Sequence, residues 1–218
     1  MRKHISFVLK KNIIIILFVF VAVGADIILI SQGIVKIPGL TPQPQIDNDN
    51  QVLQKGNVTI YFIDAGVGDS IFVDTPDKDV LIDGHEKSDG LEITAFLLGL
   101  NVTKIDYLVA SHPHFDHIGG LVTVMTEFSS LDIPIHNVID NGQKSDTNIY
   151  DEYMLLAEPI GITVAERNQV FQLDSQTEMI IISPPNPQIF SDGNENSIVL
   201  MIRFEDVSFL LTGDIETN

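Results

Sequence analysis

Apolar and polar positions alternate in short runs through the part of this chain that follows residue 57. Three runs rich in β-branched and aromatic residues, at 58–64, 70–75 and 79–83, predict strands. Gly66, Gly68 and a polar stretch after the second run interrupt them, which is typical of successive hairpins. We therefore expect the folded part of the chain to begin with antiparallel strands.

Further along, apolar strand patterns alternate with helical ones. The predicted helices span 91–100, 119–128 and 147–158. The predicted strands span 104–111, 133–140, 161–165, 178–183, 197–204 and 207–213. Hairpins followed by mixed strands and helices indicate an α/β layered sheet, and the length allows one such domain, at 56–218.

The longest apolar run lies near the N-terminus, where residues 12–30 contain a single charged residue, Asp26. Four basic residues precede it: Arg2, Lys3, Lys10 and Lys11. About 20 apolar residues can cross a bilayer core, and a basic flank favours the cytoplasmic side. Residues 1–30 therefore predict a single-pass anchor in the cell membrane, with an extracellular domain after a linker at 31–55. The alternative is a signal peptide cleaved after Ala25, which gives a secreted domain.

Composition restricts the classes of site that the chain can carry. It has no cysteine, so disulfides and thiolate metal sites are excluded. The formal net charge of the 218 residues is −18, and the part after Asp26 holds 29 acidic against 8 basic residues, a net charge of −21. Such an acidic surface repels phosphate backbones, so we do not expect nucleic acid to bind through a basic face.

Ligand-type side chains concentrate in the segment SHPHFDHIGG, from Ser111 to Gly120, directly after a predicted strand. His112, His114, Asp116 and His117 fall within six positions there. Imidazole and carboxylate suit Zn²⁺, Mn²⁺ or Fe, and two such ions can act together on the attacking and leaving oxygens of a hydrolysis. The segment therefore predicts a two-metal hydrolase site, against the alternative of a chance polar loop.

The sequence HPHFDH resembles the HxHxDH motif of the metallo-β-lactamase fold. The segments FIDAGVGDSIFVDTPDKDVLIDGHEKSDG, IDYLVASHPHFDHIGGL and NENSIVLMIRFEDVSFLLTGDIE are similar to the soluble hydrolase domain of the ComEC-type DNA-uptake proteins and their stand-alone relatives. This resemblance runs from about Val58 to the C-terminus. It implies an αββα sandwich.

The resemblance also implies roles for individual residues. His112 and His114 correspond to ligands of a first metal, Asp116 and His117 to ligands of a second, and Asp214 in LLTGD to a carboxylate that bridges both. Two further positions match the group's pattern. They are Asp83, which would steady the histidine loop from behind the ligands, and Asp69 in the GVGDS turn; each is also an ordinary turn residue.

Two departures from the resemblance concern the ligand set and the chain end. No histidine follows His136, so Asn194 or Asn196 is the possible substitute for a further first-site ligand. The fold is also expected to continue past Asn218 with more structure and a final histidine, so the sandwich is predicted to be truncated. A fragment, a layer supplied by a partner and a degenerate site are the open explanations. The remaining histidines are predicted to be a surface or contact residue, His85, and a core residue, His136.

Together these features predict an exported, membrane-anchored hydrolase with two divalent ions, Zn²⁺ first and Mn²⁺ or Fe as alternatives. Asp116 would orient a metal-activated hydroxide, and the resemblance implies a phosphodiester substrate, DNA, captured at the metals. The alternatives are hydrolysis of a thioester, lactam or lactone, and a non-catalytic binding module. The oligomeric state is left open by the sequence.

Overall fold

The computed structural model describes residues 5–9, 58–64, 68–184 and 193–215. Two sheets and three helices make up this part of the chain. The first sheet contains β1 (Ile5–Leu9), β2 (Val58–Phe62), β3 (Ile71–Asp74), β4 (Asp79–Ile82), β5 (Tyr107–Ala110), β6 (Val138–Asp140) and β7 (Ile162–Val164). The second contains β8 (Val170–Gln172), β9 (Thr177–Ser183), β10 (Val199–Phe204) and β11 (Val207–Leu211), in the order β11-β10-β9-β8. The helices are α1 (Gly90–Gly99), α2 (Phe115–Ser130) and α3 (Asn148–Ile160).

The first sheet changes direction in its middle. Strands β1 to β4 pair antiparallel in chain order, whereas β4 to β7 pair parallel. A helix lies in each of the connections β4–β5, β5–β6 and β6–β7, as parallel neighbours require a crossover. The ends of β4, β5 and β6 at which their chains leave the sheet therefore meet on one side, here called the site edge.

Two separate cores lie on the two faces of this sheet. Along β4, Leu81 packs with the three helices, while Val80 and Ile82 pack with the second sheet. This alternation follows from the two-residue period of a strand. The result is a helix–sheet–sheet arrangement, which confirms the α/β prediction; a second helical layer is not found among the described residues.

Helix α2 begins four residues earlier than predicted, at Phe115 rather than Gly119. Its first turn therefore carries Asp116 and His117, with His114 as the N-cap residue. Sequence reasoning placed these side chains in a loop because polar, ligand-type residues mask the apolar period at the start of the helix. The structure thus rigidly fixes part of the motif on a helix.

The predicted strand 133–140 is wrong in its first half, because only Val138–Asp140 forms β6. Pro134 has no N–H to donate, and the chain before β6 makes only a single bridge, between Ile105 and Ile135. His136 is exposed in this stretch, so its assignment to the core is wrong as well. Strand β8 was not predicted, since Val170 and Phe171 stand between polar residues and form no sustained apolar run.

The predicted anchor and linker, 1–30 and 31–55, lie outside the described residues except for Ile5–Leu9. That segment forms β1 and pairs with β2, from Ile5 opposite Phe62 to Leu9 opposite Val58. Among the described residues, no helix has both the length and the apolar character needed to cross a membrane.

Candidate metal centre

The loops that leave β4 and β5 meet at the site edge, since the two strands are parallel neighbours. The first loop carries Asp83 and His85, and the second carries the histidine motif. Backbone hydrogen bonds hold the first loop to the start of α2. Gly84 N donates to His117 O at 2.8 Å, and Gly120 N donates to His85 O at 3.0 Å. The two loops and the helix start therefore form one unit.

Glycine is required where this loop meets α2. A Cβ on Gly120 would lie 1.7 Å from Gly84 O, and one on Gly84 would lie 2.6 Å from Leu121 N. Both clashes are with backbone atoms, which cannot move aside as a flexible side chain could. The Gly-Gly pair of the motif is thus explained by the close approach that brings His117 beside Asp83.

Asp83 lies behind the histidines and is 1% exposed. Its Oδ1 accepts from Ser111 N at 2.8 Å; its Oδ2 accepts from Ser111 Oγ at 2.6 Å and is 2.9 Å from His117 Nδ1. One carboxylate therefore fixes both the loop after β5 and the ring of His117. Its backbone has φ of 55°, a left-handed conformation that aspartate tolerates well.

His112, His117 and Asp214 each bring one ligand atom to a common region, and these atoms all lie within 4.8 Å of one another. His117 Nε2 faces Asp214 Oδ2 at 3.4 Å. That nitrogen is buried and has no hydrogen bond among the described residues. Because His117 Nδ1 is occupied by Asp83, Nε2 is the atom left for a metal, and this donor set fits a divalent ion.

The turn that carries Asp214 follows β11 and lies directly against the histidine loop. A Cβ on Gly213 would be 3.2 Å from Ser197 Cβ and 3.3 Å from Ser111 Cβ, and its φ of 51° is also left-handed. Glycine at this position therefore permits the second sheet to deliver a carboxylate to histidines of the first. The centre is formed where the two sheets meet.

His114 and Asp116 lie beside this cluster, but neither brings a ligand atom within 4.8 Å of all three members. His114 is exposed, and its Nδ1 is 3.0 Å from His112 Nε2. Asp116 is half-buried in the first turn of α2, and its backbone O packs on Gly68, where a Cβ would lie 1.8 Å away. The predicted five ligands are thus divided into three that converge and two at the periphery.

Burial and charge shift the pKa values of the two buried histidines in opposite directions. Burial, followed by the charge of His117, lowers the pKa of His112 from 6.5 to about 4. Burial opposes ionisation of His117 too, but the hydrogen bond and charge of Asp83, with the charges of Asp214 and Asp116, raise its pKa to about 9. The carboxylates that favour a proton on His117 equally favour a divalent cation beside it.

Asp69 and His85 support the site from the loop before β3 and the loop after β4. Burial and the charge of Asp83 raise the pKa of Asp69, and the charges of His117 and Asp214 also act on it, which places this carboxylate close to the centre. His85 N donates to Asp69 O at 3.0 Å, and its ring Nε2 donates to Ile63 O at 2.8 Å. His85 is 3% exposed, so its description as a surface residue is wrong.

A family model for the metallo-beta-lactamase superfamily matches residues 63–218, which include the whole of this centre. The chain belongs to the metallo-beta-lactamase superfamily. The predicted family is therefore confirmed, and with it the general class of fold.

Two proteins of known sequence are similar to parts of this superfamily member. It is 30% identical over 178 aligned residues to ComE operon protein 3 of Bacillus subtilis, an alignment covering 72% of this chain and 22% of that protein. It is 38% identical over 58 residues to 7,8-dihydropterin-6-methyl-4-(beta-D-ribofuranosyl)-aminobenzene-5'-phosphate synthase of Methanocaldococcus jannaschii, covering 27% of this chain and 19% of that protein. The chain thus spans about a fifth of the length of each. Among solved structures, a metallo-beta-lactamase of Thermotoga maritima described as putative aligns with a TM-score of 0.48 and 14% identity, over 70% of both chains.

The two asparagines considered as substitute ligands in this superfamily member lie in a 3₁₀ turn, Asn194–Asn196. Asn196 is buried; its Nδ2 donates to Gln143 Oε1 at 3.1 Å, and its backbone O accepts from Asn141 Nδ2 at 3.1 Å. The turn passes close to the motif, since a Cβ on Gly193 would lie 3.0 Å from His114 Nε2. The role of Asn194 or Asn196 as a substitute ligand stays a prediction.

Sequence reasoning missed two serines that contact His112. Ser111 Oγ lies 3.0 Å and Ser197 Oγ 3.3 Å from His112 Nδ1. Ser111 directly precedes the first motif histidine, which was a usable signal. Ser197 could not be found in this way, because its contact depends on how the second sheet packs against the first.

Proposed function

We propose that this chain is a metal-dependent hydrolase of phosphodiesters, with DNA as the leading substrate. The observation that carries the proposal is the convergence of His112, His117 and Asp214 at the site edge, with ligand atoms within 4.8 Å of one another. Membership of the metallo-beta-lactamase superfamily supports metal-dependent hydrolysis in general. The choice of a phosphodiester rests on the similarity to ComEC-type DNA-uptake proteins.

The residues divide into those that hold metal and those that organise them. As the resemblance implies, His112 and His114 would hold a first divalent ion, Asp116 and His117 a second, with Asp214 shared. The 3.0 Å between His112 Nε2 and His114 Nδ1 and the 3.4 Å between His117 Nε2 and Asp214 Oδ2 support this assignment. Zn²⁺ is the first choice and Mn²⁺ or Fe the alternatives, since the donors are imidazole and carboxylate. When bound, such ions lower the pKa of a coordinated water and polarise the bond under attack. Asp116, at the rim, would orient the nucleophile.

The charge of the chain favours capture of substrate at the metals rather than on a basic surface. Asp69, Asp83 and Asp214 surround the centre, and the chain carries a formal net charge of −18. A polyanion is repelled by this field unless cations neutralise it locally. Loading with divalent ions should therefore be required for substrate binding as well as for turnover.

The test compares metal content and hydrolysis for the full-length chain and two matched variants. Asp214→Ala removes one converging ligand after β11, while Asp206→Ala removes an exposed carboxylate before the same strand. We expect the wild-type chain to take up two ions and to cleave single-stranded DNA. Asp214→Ala should reduce cleavage roughly 100-fold or more, since a bound metal contributes several kcal/mol to the transition state. Asp206→Ala should leave the metal content and the rate of cleavage unchanged.

Substrate arms separate this proposal from its rivals. Cleavage of nitrocefin or of a thioester, with DNA untouched, would replace the phosphodiester by a carbonyl substrate. Uptake of less than one ion per chain, with no cleavage of any substrate, would favour a non-catalytic binding module and overturn the proposal.

We also propose that the domain is held on the outer side of the cell membrane. The support is the apolar run 12–30 behind a basic flank. This topology leaves Ile5–Leu9 on the inner side of the membrane, so it requires the domain to fold without the pairing of β1 with β2. Retention in alkali-washed membranes and digestion by external protease are the expected results. A domain released after Ala25 would identify a signal peptide, and protection from external protease would contradict export.

A further inference from the structure

Ser111 occupies a buried position between a carboxylate and a motif histidine. It is 1% exposed. Its Oγ lies 2.6 Å from Asp83 Oδ2 on one side and 3.0 Å from His112 Nδ1 on the other. Its backbone N–H also donates to Asp83 Oδ1 at 2.8 Å, so the residue is held to that carboxylate at two points.

The single hydroxyl proton of Ser111 can serve only one of these neighbours. An ionised carboxylate accepts and cannot donate, and hydrogen bonds from hydroxyl to carboxylate are the short ones, near the 2.6 Å seen here. The hydroxyl proton is therefore directed to Asp83. The oxygen then has only lone pairs to offer to His112 Nδ1, so this nitrogen must carry a proton.

This proton placement settles which nitrogen of His112 is bare. A neutral imidazole has one N–H and one lone pair, so a proton on Nδ1 leaves the lone pair on Nε2. His112 Nε2 is the nitrogen that faces His114 Nδ1, 3.0 Å away. His117 Nδ1 donates to Asp83 Oδ2 without an intermediary, so whenever this ring is neutral its lone pair is on Nε2, which faces Asp214.

We propose that Ser111 is a positioning residue that relays the acceptor character of Asp83 to His112, so that one buried carboxylate fixes the same ring tautomer in two motif histidines. His117 is held directly, and His112 through the serine hydroxyl. The relay presents both Nε2 atoms to the same region, as ligation of a shared or neighbouring ion requires. The effect on metal binding rests on the proposed function, whereas the tautomer of the metal-free ring does not.

Ser197 provides an internal comparison for this relay. Its Oγ also approaches His112 Nδ1, at 3.3 Å, but Asp83 contacts Ser111 and not Ser197 in the hydrogen bonds of the described residues. A hydroxyl with no carboxylate behind it can rotate and either donate or accept. Ser197 alone therefore cannot enforce a proton on Nδ1, and loss of Ser111 should release the tautomer even though Ser197 remains.

The experiment uses three variants of the full-length chain: Ser111→Ala, Ser111→Thr and Ser70→Ala. Ser70 is the matched control, because it is 3% exposed directly before β3 and its Oγ has no hydrogen bond among the described residues. Nitrogen NMR of the ¹⁵N-histidine-labelled, metal-free chain reports the tautomer of each ring, and competition with a chelator reports the affinity for Zn²⁺.

We expect His112 to carry its proton on Nδ1 in the wild-type chain and in Ser70→Ala. In Ser111→Ala it should exchange between both tautomers, with Zn²⁺ affinity falling roughly 10- to 100-fold, as is usual for loss of a partner behind a ligand. Ser111→Thr keeps a hydroxyl and should restore the wild-type tautomer. His117 should keep its Nδ1 proton in every variant.

Other outcomes overturn the relay. A proton on His112 Nε2 in the wild-type chain, or an unchanged tautomer in a folded Ser111→Ala, would show that the serine does not set it. Weaker Zn²⁺ binding in Ser70→Ala to the same degree would show a general packing effect. Because the tautomer is read without metal, the relay can fail while the hydrolase proposal stands, and the reverse is equally visible.

Discussion

The two ends of β4 carry aspartates in opposite electrostatic settings. Asp79 begins the strand and Asp83 follows its last residue, Ile82. Asp83 receives hydrogen bonds from Ser111 and His117 and is almost fully buried. Asp79 is half-buried, and its neighbours Asp74 and Asp106 are acidic. At the site edge, Asp83 is held by hydrogen bonds, whereas Asp79 at the opposite edge lies among other carboxylates.

This difference shows that burial alone does not hold a carboxylate in a defined geometry. At the opposite edge Asp106, rather than Asp79, receives the donors: Asp79 N at 2.9 Å and Lys104 Nζ at 2.7 Å. Burial and then the charge of Asp74 raise the pKa of Asp79 to about 6, against a lowering by Lys104. Only the site edge supplies enough donors to hold a buried charge in a defined geometry.

The largest expected effect comes from breaking the close approach that creates the site edge. Gly120→Ala places a Cβ 1.7 Å from Gly84 O, so the loop after β4 must leave α2. We expect a loss of about 3 kcal/mol or more in the free energy of unfolding, measured with urea on the metal-free chain. Gly99→Ala is the control, because its Cβ meets nothing within 4 Å. A mild effect at Gly120, similar to that at Gly99, would contradict the tight packing described for this loop.

The next effect tests the organised carboxylate itself. Asp83→Asn keeps the shape and tolerates the left-handed backbone, but its amide NH₂ must face a donor from Ser111 or His117. We expect a loss of about 2–4 kcal/mol in the free energy of unfolding, together with weaker Zn²⁺ binding. If Asp83→Asn were as stable as wild type, the hydrogen bonds to Asp83 would not distinguish it from Asp79 at the other end of β4.

The local pattern of apolar and polar residues was sufficient to predict most of the strands and helices around β4. The strands before residue 84 were predicted from β-branched runs, because alternation of Val80, Leu81 and Ile82 between two cores leaves an apolar stretch bounded by polar ends. The start of α2 was misplaced, because Asp116 and His117 are polar residues that interrupt the apolar period in the first turn of the helix. Sequence patterns report burial more directly than they report function.

The assembly of the site could not be derived from spacing alone. The approach of Asp214 to His117 depends on the packing of the second sheet against the first, and only the family resemblance suggested it in advance. Likewise, the proton relay through Ser111 depends on which neighbour its hydroxyl faces. Long-range packing and hydroxyl orientation leave no periodic signal in a sequence.

At the other end of β4, a substitution of Asp79 is expected to increase the free energy of unfolding by a smaller amount. The pKa of Asp79 is raised from 3.8 to about 6, so its ionisation is less favourable in the folded chain than in the unfolded one. The stability contributed by its protonated form is present below pH 4 and is lost as the pH rises through 6. Asp79→Asn should therefore stabilise the chain by about 1 kcal/mol above pH 7, a value reduced for solvent screening at this half-buried group.

Urea unfolding of Asp79→Asn and wild type at pH 4 and pH 7.5 checks this sign. The two chains should be equally stable near pH 4 and diverge as the pH rises. Asp77→Asn, in the adjacent turn, is the control. Destabilisation by Asp79→Asn at pH 7.5 would show that this carboxylate receives support comparable to that of Asp83.

The smallest expected change in stability tests how far the hydrogen bonds of the site edge extend. Tyr153 of α3 is 1% exposed, and it lines a cavity of about 10 Å³ together with His112 and Asp140. Its hydroxyl has no hydrogen bond among the described residues, and burial raises its pKa well above 10. Tyr153→Phe removes this desolvated hydroxyl and should stabilise the chain by about 0.5 kcal/mol. Tyr150→Phe, on the same helix but half-buried, should change stability less. Destabilisation by Tyr153→Phe beyond about 1 kcal/mol would mean that the hydroxyl is bonded in solution, and that the organised network of the site edge extends from Asp83 and the histidines as far as α3.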